Sequence, residues 1–283
     1  MNVVTTMTVL PNTFTPEQNI KRLHDIGFDC LDIGFEQFLT PDHPFRYGDH
    51  KAWATELRRY ADSLGVRFTH AHCCADADYR GPEIFRAIEC AGILGVKIMA
   101  VHPVAFRCPA DIPKNIGIED DEEFMALNVK AFRELMPYAE QNGVILVAEN
   151  LLWGSSYRFS NFVRLVKEVN SPYLGWCLDT GHAHYCGVKM TELLDLDTPP
   201  LSLHIQDNRG YLTHDDHLLP GDGTIDWKEF AELLVKIGYT GDTVLEAHHQ
   251  SIEAPDDKRD AILTDLYQRG VKLNDYIMKL KQQ

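Results

Sequence analysis

Six apolar runs in this chain close on a residue that can bind a metal or carry a proton: Ala71-His72, Val101-His102, Ala148-Glu149, Leu178-Asp179, Leu203-His204 and Leu245-Glu246. Mixed imidazole and carboxylate ligands suit Mn²⁺, Zn²⁺, Co²⁺ or Fe²⁺ better than Ca²⁺, which prefers oxygen alone. Glu149, Asp179, His204 and Glu246 make a ligand set for one such ion, with open positions left for substrate oxygens. In Asp179-Thr180-Gly181-His182 the second imidazole follows three residues after the carboxylate, so both reach one site as the chain turns into the next loop. Asn150 follows Glu149 directly and supplies an amide to orient it or a ligand. Asp215-Asp216-His217-Leu218-Leu219-Pro220-Gly221-Asp222-Gly223 adds a further carboxylate and imidazole.

One strand-terminal carboxylate would only cap the helix after it. Six such residues converge if the runs are parallel strands whose C-terminal ends share one face, because each strand then delivers its last side chain to the sheet edge. Short β-branched or apolar runs do alternate with amphipathic stretches here, the signature of repeated βα units. Strands are expected at Val3 to Thr8, Cys30 to Phe35, Val66 to Ala71, Lys97 to His102, Val144 to Glu149, Leu174 to Leu178, Leu201 to Ile205 and Thr243 to Glu246. Helices are expected at Pro16 to Ile26, Lys51 to Leu64, Pro82 to Leu94, Glu122 to Gln141, Asn161 to Val169, Met190 to Leu194, Asp226 to Ile237 and Asp256 to Leu280. Gly27, Gly65, Gly95, Gly143 and Gly238 mark the helix-to-strand returns as C-caps. The fold class is α/β, a single (β/α)₈ barrel spanning residues 1–283, close to the roughly 250 residues such a domain needs.

The strand-to-helix connections Gln37 to His50, Pro103 to Asp121 and Gln206 to Thr224 are long enough to build a substrate pocket on the ionisable face. Phe14, Phe38, Phe45, Trp153, Tyr185 and Tyr211 are the loop aromatics that could stack on a sugar ring there. His70, His184, His214, His248 and His249 are expected outside the ligand set.

A formal net charge of −15 repels polyanions, and no basic patch offsets it, so neither nucleic acid nor an anionic membrane is expected as a partner. The seven cysteines form no CxxC pair and fit reduced thiols. The adjacent Cys73-Cys74 either packs beneath a loop or offers a soft ligand. The start MNVVTTMTVLP lacks the basic flank and long apolar run of a signal peptide, so a cytoplasmic location is expected.

These motifs resemble the xylose-isomerase-like TIM-barrel superfamily of ketose 3-epimerases, hydroxypyruvate isomerases, inosose dehydratases and endonuclease IV-type apurinic-site enzymes. The resemblance runs from Leu31-Asp32-Ile33-Gly34 to Glu246, and Asp179-Thr180-Gly181-His182 and His217-x-x-Pro220-Gly221-x-Gly223 are its most specific parts. It implies a metal-dependent sugar isomerase or epimerase acting on a ketose or keto-sugar. Glu149 and Glu246 would act as acid and base around a metal-stabilised enediolate, and His182 would contact substrate oxygens. Manganese is the first expectation for the metal, with zinc, cobalt or magnesium as alternatives. The substrate would be a small sugar, unphosphorylated for want of a Gly-rich phosphate loop, and a homo-oligomer is compatible with the resemblance. Trp153 and Arg209 are the expected substrate-binding residues.

The chain departs from the epimerases in two places. Arg209 is offset from the epimerases' substrate-binding arginine, and Leu151-Leu152-Trp153-Gly154-Ser155 stands where they carry a further glutamate. No lysine follows Glu149 as a hydride-shift aldose isomerase would require. Three alternatives stay open. A sugar dehydratase or lyase would use the same site. An endonuclease IV-like phosphodiester hydrolase would hold three zinc ions through His72, His102, Glu149, Asp179, His182, His204, Asp215, His217 and Glu246. A sugar sensor would keep the ring without chemistry.

Overall fold

The computed structural model describes residues 1–73 and 81–282. Eight parallel strands close on themselves in chain order: β1 Val3–Thr6, β2 Cys30–Gly34, β3 Arg67–His72, β4 Ile98–Val101, β5 Ile145–Glu149, β6 Leu174–Asp179, β7 Ser202–Ile205 and β8 Thr243–Leu245. The expected (β/α)₈ barrel is the fold observed.

Alternation along each strand sorts its side chains between lumen and helix layer. Leu31 and Ile33 join the large apolar cluster under the helices, while Cys30 packs in the lumen with Val4 and Val244. Ala100, Val147 and Cys177 fill the lumen on the other side. All six inward residues are buried, so the lumen is packed with side chains there. On the outer layer Trp176 of β6 stacks on Phe162 and lies tilted against Phe159, both in helix Phe159–Val169.

Helix Asp121–Asn142 shows how the sequence sets element ends. Asp120 accepts from the Glu123 N–H at its start, with Asp121, Glu122 and Glu123 against the positive end of the helix dipole. Gly143 ends it at φ 65, a left-handed conformation that glycine adopts without steric cost.

Several boundaries differ from expectation. Strand β1 stops at Thr6 because Met7–Val9 winds into a 3₁₀ turn, with the Thr6 hydroxyl accepting from the Thr8 N–H. Met190–Asp195 is 3₁₀ rather than α-helical, and Gln37 to His50 contains a short helix, Pro44–Tyr47. Cys73 is buried beside β3; Cys74 lies outside the described residues. Among the described residues no helix is long and apolar enough to cross a membrane.

Candidate active site

Strand register brings the ionisable side chains together. Glu149 lies opposite Cys177, Asp179 opposite His204 and His72 opposite Gly34. Val101 pairs with Ala148, so His102 and Glu149 leave their strands side by side. Glu246 follows β8 and is pinned by its N–H to the Ile205 carbonyl at 2.9 Å.

The Asp179-x-x-His182 spacing is a helix cap. Asp179 Oδ1 accepts the His182 N–H at 2.6 Å and starts the short helix Thr180–Tyr185, which leaves Oδ2 free of that duty. Asn150 ties the ends of β5 and β6 together. It accepts from the Asp179 N–H at 2.8 Å and donates to the Asp179 carbonyl at 3.1 Å, while its own carbonyl accepts from His182 Nδ1 at 2.8 Å.

Ligand atoms of Glu149, Asp179, His204 and Glu246 all lie within 4.8 Å of one another. His204 Nδ1 stands 3.1 Å from Glu149 Oε1 and 2.9 Å from Glu246 Oε2. Yet among the described residues His204 Nδ1, Glu246 Oε2 and Asp179 Oδ2 are buried without a well-formed hydrogen bond. Buried polar atoms are rarely left so, and their convergence at one point is what a cation's ligands require. Three further groups adjoin or overlap this one: His72 with His204 and Glu246, His72 with His102 and Glu149, and His182 with Asp215 and His217.

The tautomers fit the same purpose. His72, His182 and His217 each direct Nδ1 at a backbone carbonyl, of Cys73, Asn150 and Glu246, at 2.9, 2.8 and 2.9 Å. A carbonyl only accepts, so Nδ1 carries the proton and Nε2 faces the cluster, the arrangement found behind metal-bound imidazoles. His217 holds this pose at φ 44, a left-handed conformation unusual for a side-chain-bearing residue and frequent at functional sites.

Charge is unevenly shared. Burial opposes ionisation of Glu149, but His204 and His72 hold its carboxyl well below the usual carboxylate range. Burial similarly opposes charge on Asp215, which His182 and His217 outweigh, so it too is held low. His72 and His182 are raised well above the ordinary imidazole value although they are buried, because carboxylates face them. His102 is pushed down to about 4 by burial and by His72. Burial pushes Asp179 up to about 7 against the pull of His182.

Residues 20–266 match the profile of the xylose isomerase-like TIM barrel family. The chain belongs to that family. It is 29% identical over 164 residues to an uncharacterised protein of Methanocaldococcus jannaschii, a match covering 55% of this chain and 52% of that protein. The chain spans about half the length of the uncharacterised relatives it matches. To the D-psicose 3-epimerase of Enterocloster bolteae it is 25% identical over 235 residues, 78% of this chain and 73% of that enzyme. The solved structure of IOLI protein with a binding zinc atom superposes at a TM-score of 0.74 over 99% of each chain; at 19% identity this is a likeness of fold.

In this xylose isomerase-like barrel the ionisable groups stand in a cavity of about 590 Å³. Glu149, Glu246, His72, His102, His182, Asp215 and His217 line it, while Asp179 and His204 lie buried beneath. Trp153 also lines it, braced by Phe106 with ring centroids 5.1 Å apart. Arg209 is not brought to the cavity; it pairs with Asp216 at 2.8 Å with its side chain 60% exposed. The other loop aromatics are elsewhere: Phe38 and Phe45 pack in a buried cluster with Trp53, Phe14 lies under Arg22, Tyr185 is half-buried at the end of helix Thr180–Tyr185, and Tyr211 is exposed.

Sequence reading missed four residues. His248 lines the cavity and stacks on His217 at 4.2 Å. Glu36 lines it too, with Oε2 buried and unpartnered among the described residues, and burial pushes its carboxyl up to about 7. It lies beyond the end of β2 and folds back over Gly34, where a Cβ would fall 2.3 Å from its Oε1. Asp32 is buried in β2 with both carboxylate oxygens unpartnered, and Gln206 is buried beside Asp179. The alternation of β2, with Cys30, Asp32 and Gly34 on the lumen side, was the signal that could have found Asp32.

Proposed function

We propose that this chain is a metal-dependent sugar isomerase or epimerase acting on a ketose or keto-sugar, with Glu149 and Glu246 as acid and base. The observation that carries the reading is the convergence of Glu149, Asp179, His204 and Glu246 within 4.8 Å, with Asp179 Oδ2 buried and unsatisfied among the described residues. These four residues would hold one divalent ion. When bound, the ion would polarise adjacent substrate oxygens and offset the negative charge that develops as a carbon-bound proton leaves.

The rest of the chemistry belongs to the chain's own groups. Glu149 and Glu246 approach His204 Nδ1 from two strands, so a sugar held above them would meet a carboxylate from each side. One carboxylate removes the proton beside the carbonyl, and the other returns one to the opposite face, inverting the centre. His204 and His72 keep the Glu149 carboxyl ionised, the form a base must have. Trp153 and Leu151 offer an apolar wall to the sugar's C–H face. The described lining residues include no Lys or Arg, which supports a substrate without phosphate. The D-psicose 3-epimerase relative supports the same substrate class.

The test is proton exchange from D₂O into a ketose panel by protein loaded with Mn²⁺, Co²⁺, Mg²⁺ or Zn²⁺. Exchange at a carbon beside the carbonyl is expected. Glu149→Gln and Glu246→Gln should each lower it by about 10²–10⁴-fold, the usual contribution of a general acid or base. Near-normal exchange in either variant would remove that residue from the acid-base pair.

A second reading has its own observation. His72 with His102 and Glu149, and His182 with Asp215 and His217, complete nine ligands in three adjoining groups, which favours a trinuclear centre and phosphodiester hydrolysis. Elemental analysis of protein purified without chelator separates the two. About one ion per chain supports the isomerase, and close to three zinc ions with phosphodiesterase activity supports the hydrolase.

A further inference from the structure

Between two of the ligand groups stands one neutral amide. Gln206 is fully buried, and its Nε2 donates to Asp179 Oδ1 at 3.2 Å and to Asp215 Oδ1 at 3.0 Å. Asp215, held ionised by His182 and His217, only accepts, and Asp179 Oδ1 already accepts the His182 N–H, which fixes the atom between them as nitrogen. The bridge occupies one oxygen of each acid and leaves the other turned to its group. Asp179 Oδ2 is buried and unpartnered, and Asp215 Oδ2 lies 3.4 Å from His182 Nε2 and 3.2 Å from His217 Nε2.

The surroundings hold this amide in place. The Thr180 hydroxyl donates to the Gln206 carbonyl at 2.8 Å and accepts from its N–H at 3.2 Å, which fixes the backbone from which the side chain rises. Gly181 gives the amide its room. A Cβ there would fall 1.9 Å from Oε1 and 2.3 Å from Nε2. The position has an ordinary helical backbone, so space rather than conformation is what demands glycine.

We propose that Gln206 is a positioning residue that yokes the two groups, so that divalent-cation binding at Glu149–Asp179–His204–Glu246 and at His182–Asp215–His217 depends on its side-chain amide. The inference rests on the metal-dependent reading of the site, extended to a second cation taken by His182, Asp215 and His217. An outer hydrogen-bond partner of a metal ligand contributes roughly 10–100-fold in affinity, because it fixes which oxygen the ligand presents. A single residue that serves two ligands in two groups should show that effect twice.

The experiment is calorimetric titration of chelator-stripped protein with Zn²⁺ and, separately, Mn²⁺. Gln206→Met keeps the volume and removes the donor. His217→Ala silences one group and Asp179→Asn the other, so each group is read in turn with and without Gln206→Met. A fall of about 10–100-fold at both groups, with an unchanged circular dichroism spectrum, is the expected result. Gly181→Ala should reproduce it, since the added methyl takes the space of the amide. Should Gln206→Met not fold, Gln206→Asn retains an amide withdrawn by one methylene and should show the same double loss. Unchanged affinity in a folded variant, or a loss confined to one group, overturns the inference while leaving the metal-dependent reading intact. No uptake of either ion by the parent protein overturns both.

Discussion

Asp32 shows what a single carboxylate costs when it is buried in the lumen with neither oxygen in a well-formed hydrogen bond among the described residues. Burial pushes its carboxyl up to about 6, with His204 and His72 working against the shift. A raised carboxylate value means that the fold favours the protonated form, so ionisation destabilises. That cost is absent below the unfolded value of roughly 4 and complete above about 6. Asp32→Asn, which cannot ionise, should therefore stabilise the chelated protein on the order of 1–3 kcal/mol at pH 8. Urea denaturation at pH 8 and pH 5 checks this, with a smaller gain at pH 5; an equal gain at both would mean that charge is not the cause. Asp32 also marks where sequence reading stopped. Residues that end an apolar run declared themselves by position, as Glu149 and His204 did. Asp32 lies inside its strand, and Glu36 comes after the strand and returns by a fold of the backbone, so neither fell at the position being read.

At the scale of elements, the number and succession of strands and helices were legible because short apolar runs alternate with amphipathic stretches and helix-ending glycines mark the returns. The loops were legible only as loops. Their internal order comes from side chains that bind distant backbone, and Asp207 is the clearest case. Its Oδ1 accepts from the N–H groups of Asn208 and Ile225 at 2.9 and 3.2 Å, and its Oδ2 from the Gly221 N–H and Trp227 Nε1 at 2.8 and 2.9 Å. A backbone bridge from Asp207 to Leu218 closes the turn between them. This is the loop that carries Asp215 and His217. Asp207→Asn turns an NH₂ toward two donors and removes charge from the remaining bonds, and hydrogen bonds to charged groups contribute roughly 1.5–3 kcal/mol each. A loss of about 2–4 kcal/mol in urea denaturation is expected. Metal affinity at His182–Asp215–His217 should fall with it, while the group on β5 to β8 keeps its own. An undiminished affinity at the loop group would mean that Asp207 holds only the fold.

Across the whole molecule, the −15 charge was legible from composition, but where the cations go was not. Many are spent on peripheral pairs. Arg22 binds Asp256 and Asp260, Arg107 binds Glu123, Arg158 binds Asp121, Arg164 binds Glu122 and Glu168, and Arg269 binds Asp222 and Asp265. The described lining of the cavity is left acidic and imidazole-rich, without Lys or Arg. The chain's net negative charge draws in divalent cations and repels phosphate-bearing ligands, and salt weakens both effects because the Debye length falls from roughly 30 Å at 0.01 M to about 10 Å at 0.1 M. A neutral ketose feels neither. Raising ionic strength from 0.01 to 0.1 M should therefore weaken metal binding several-fold while the KM for a neutral ketose, measured at saturating metal, stays level. A duplex oligonucleotide should show no retardation at either salt. If salt instead strongly raised the KM, or if the duplex bound at low salt, an anionic substrate would be indicated and the trinuclear hydrolase would displace the sugar isomerase.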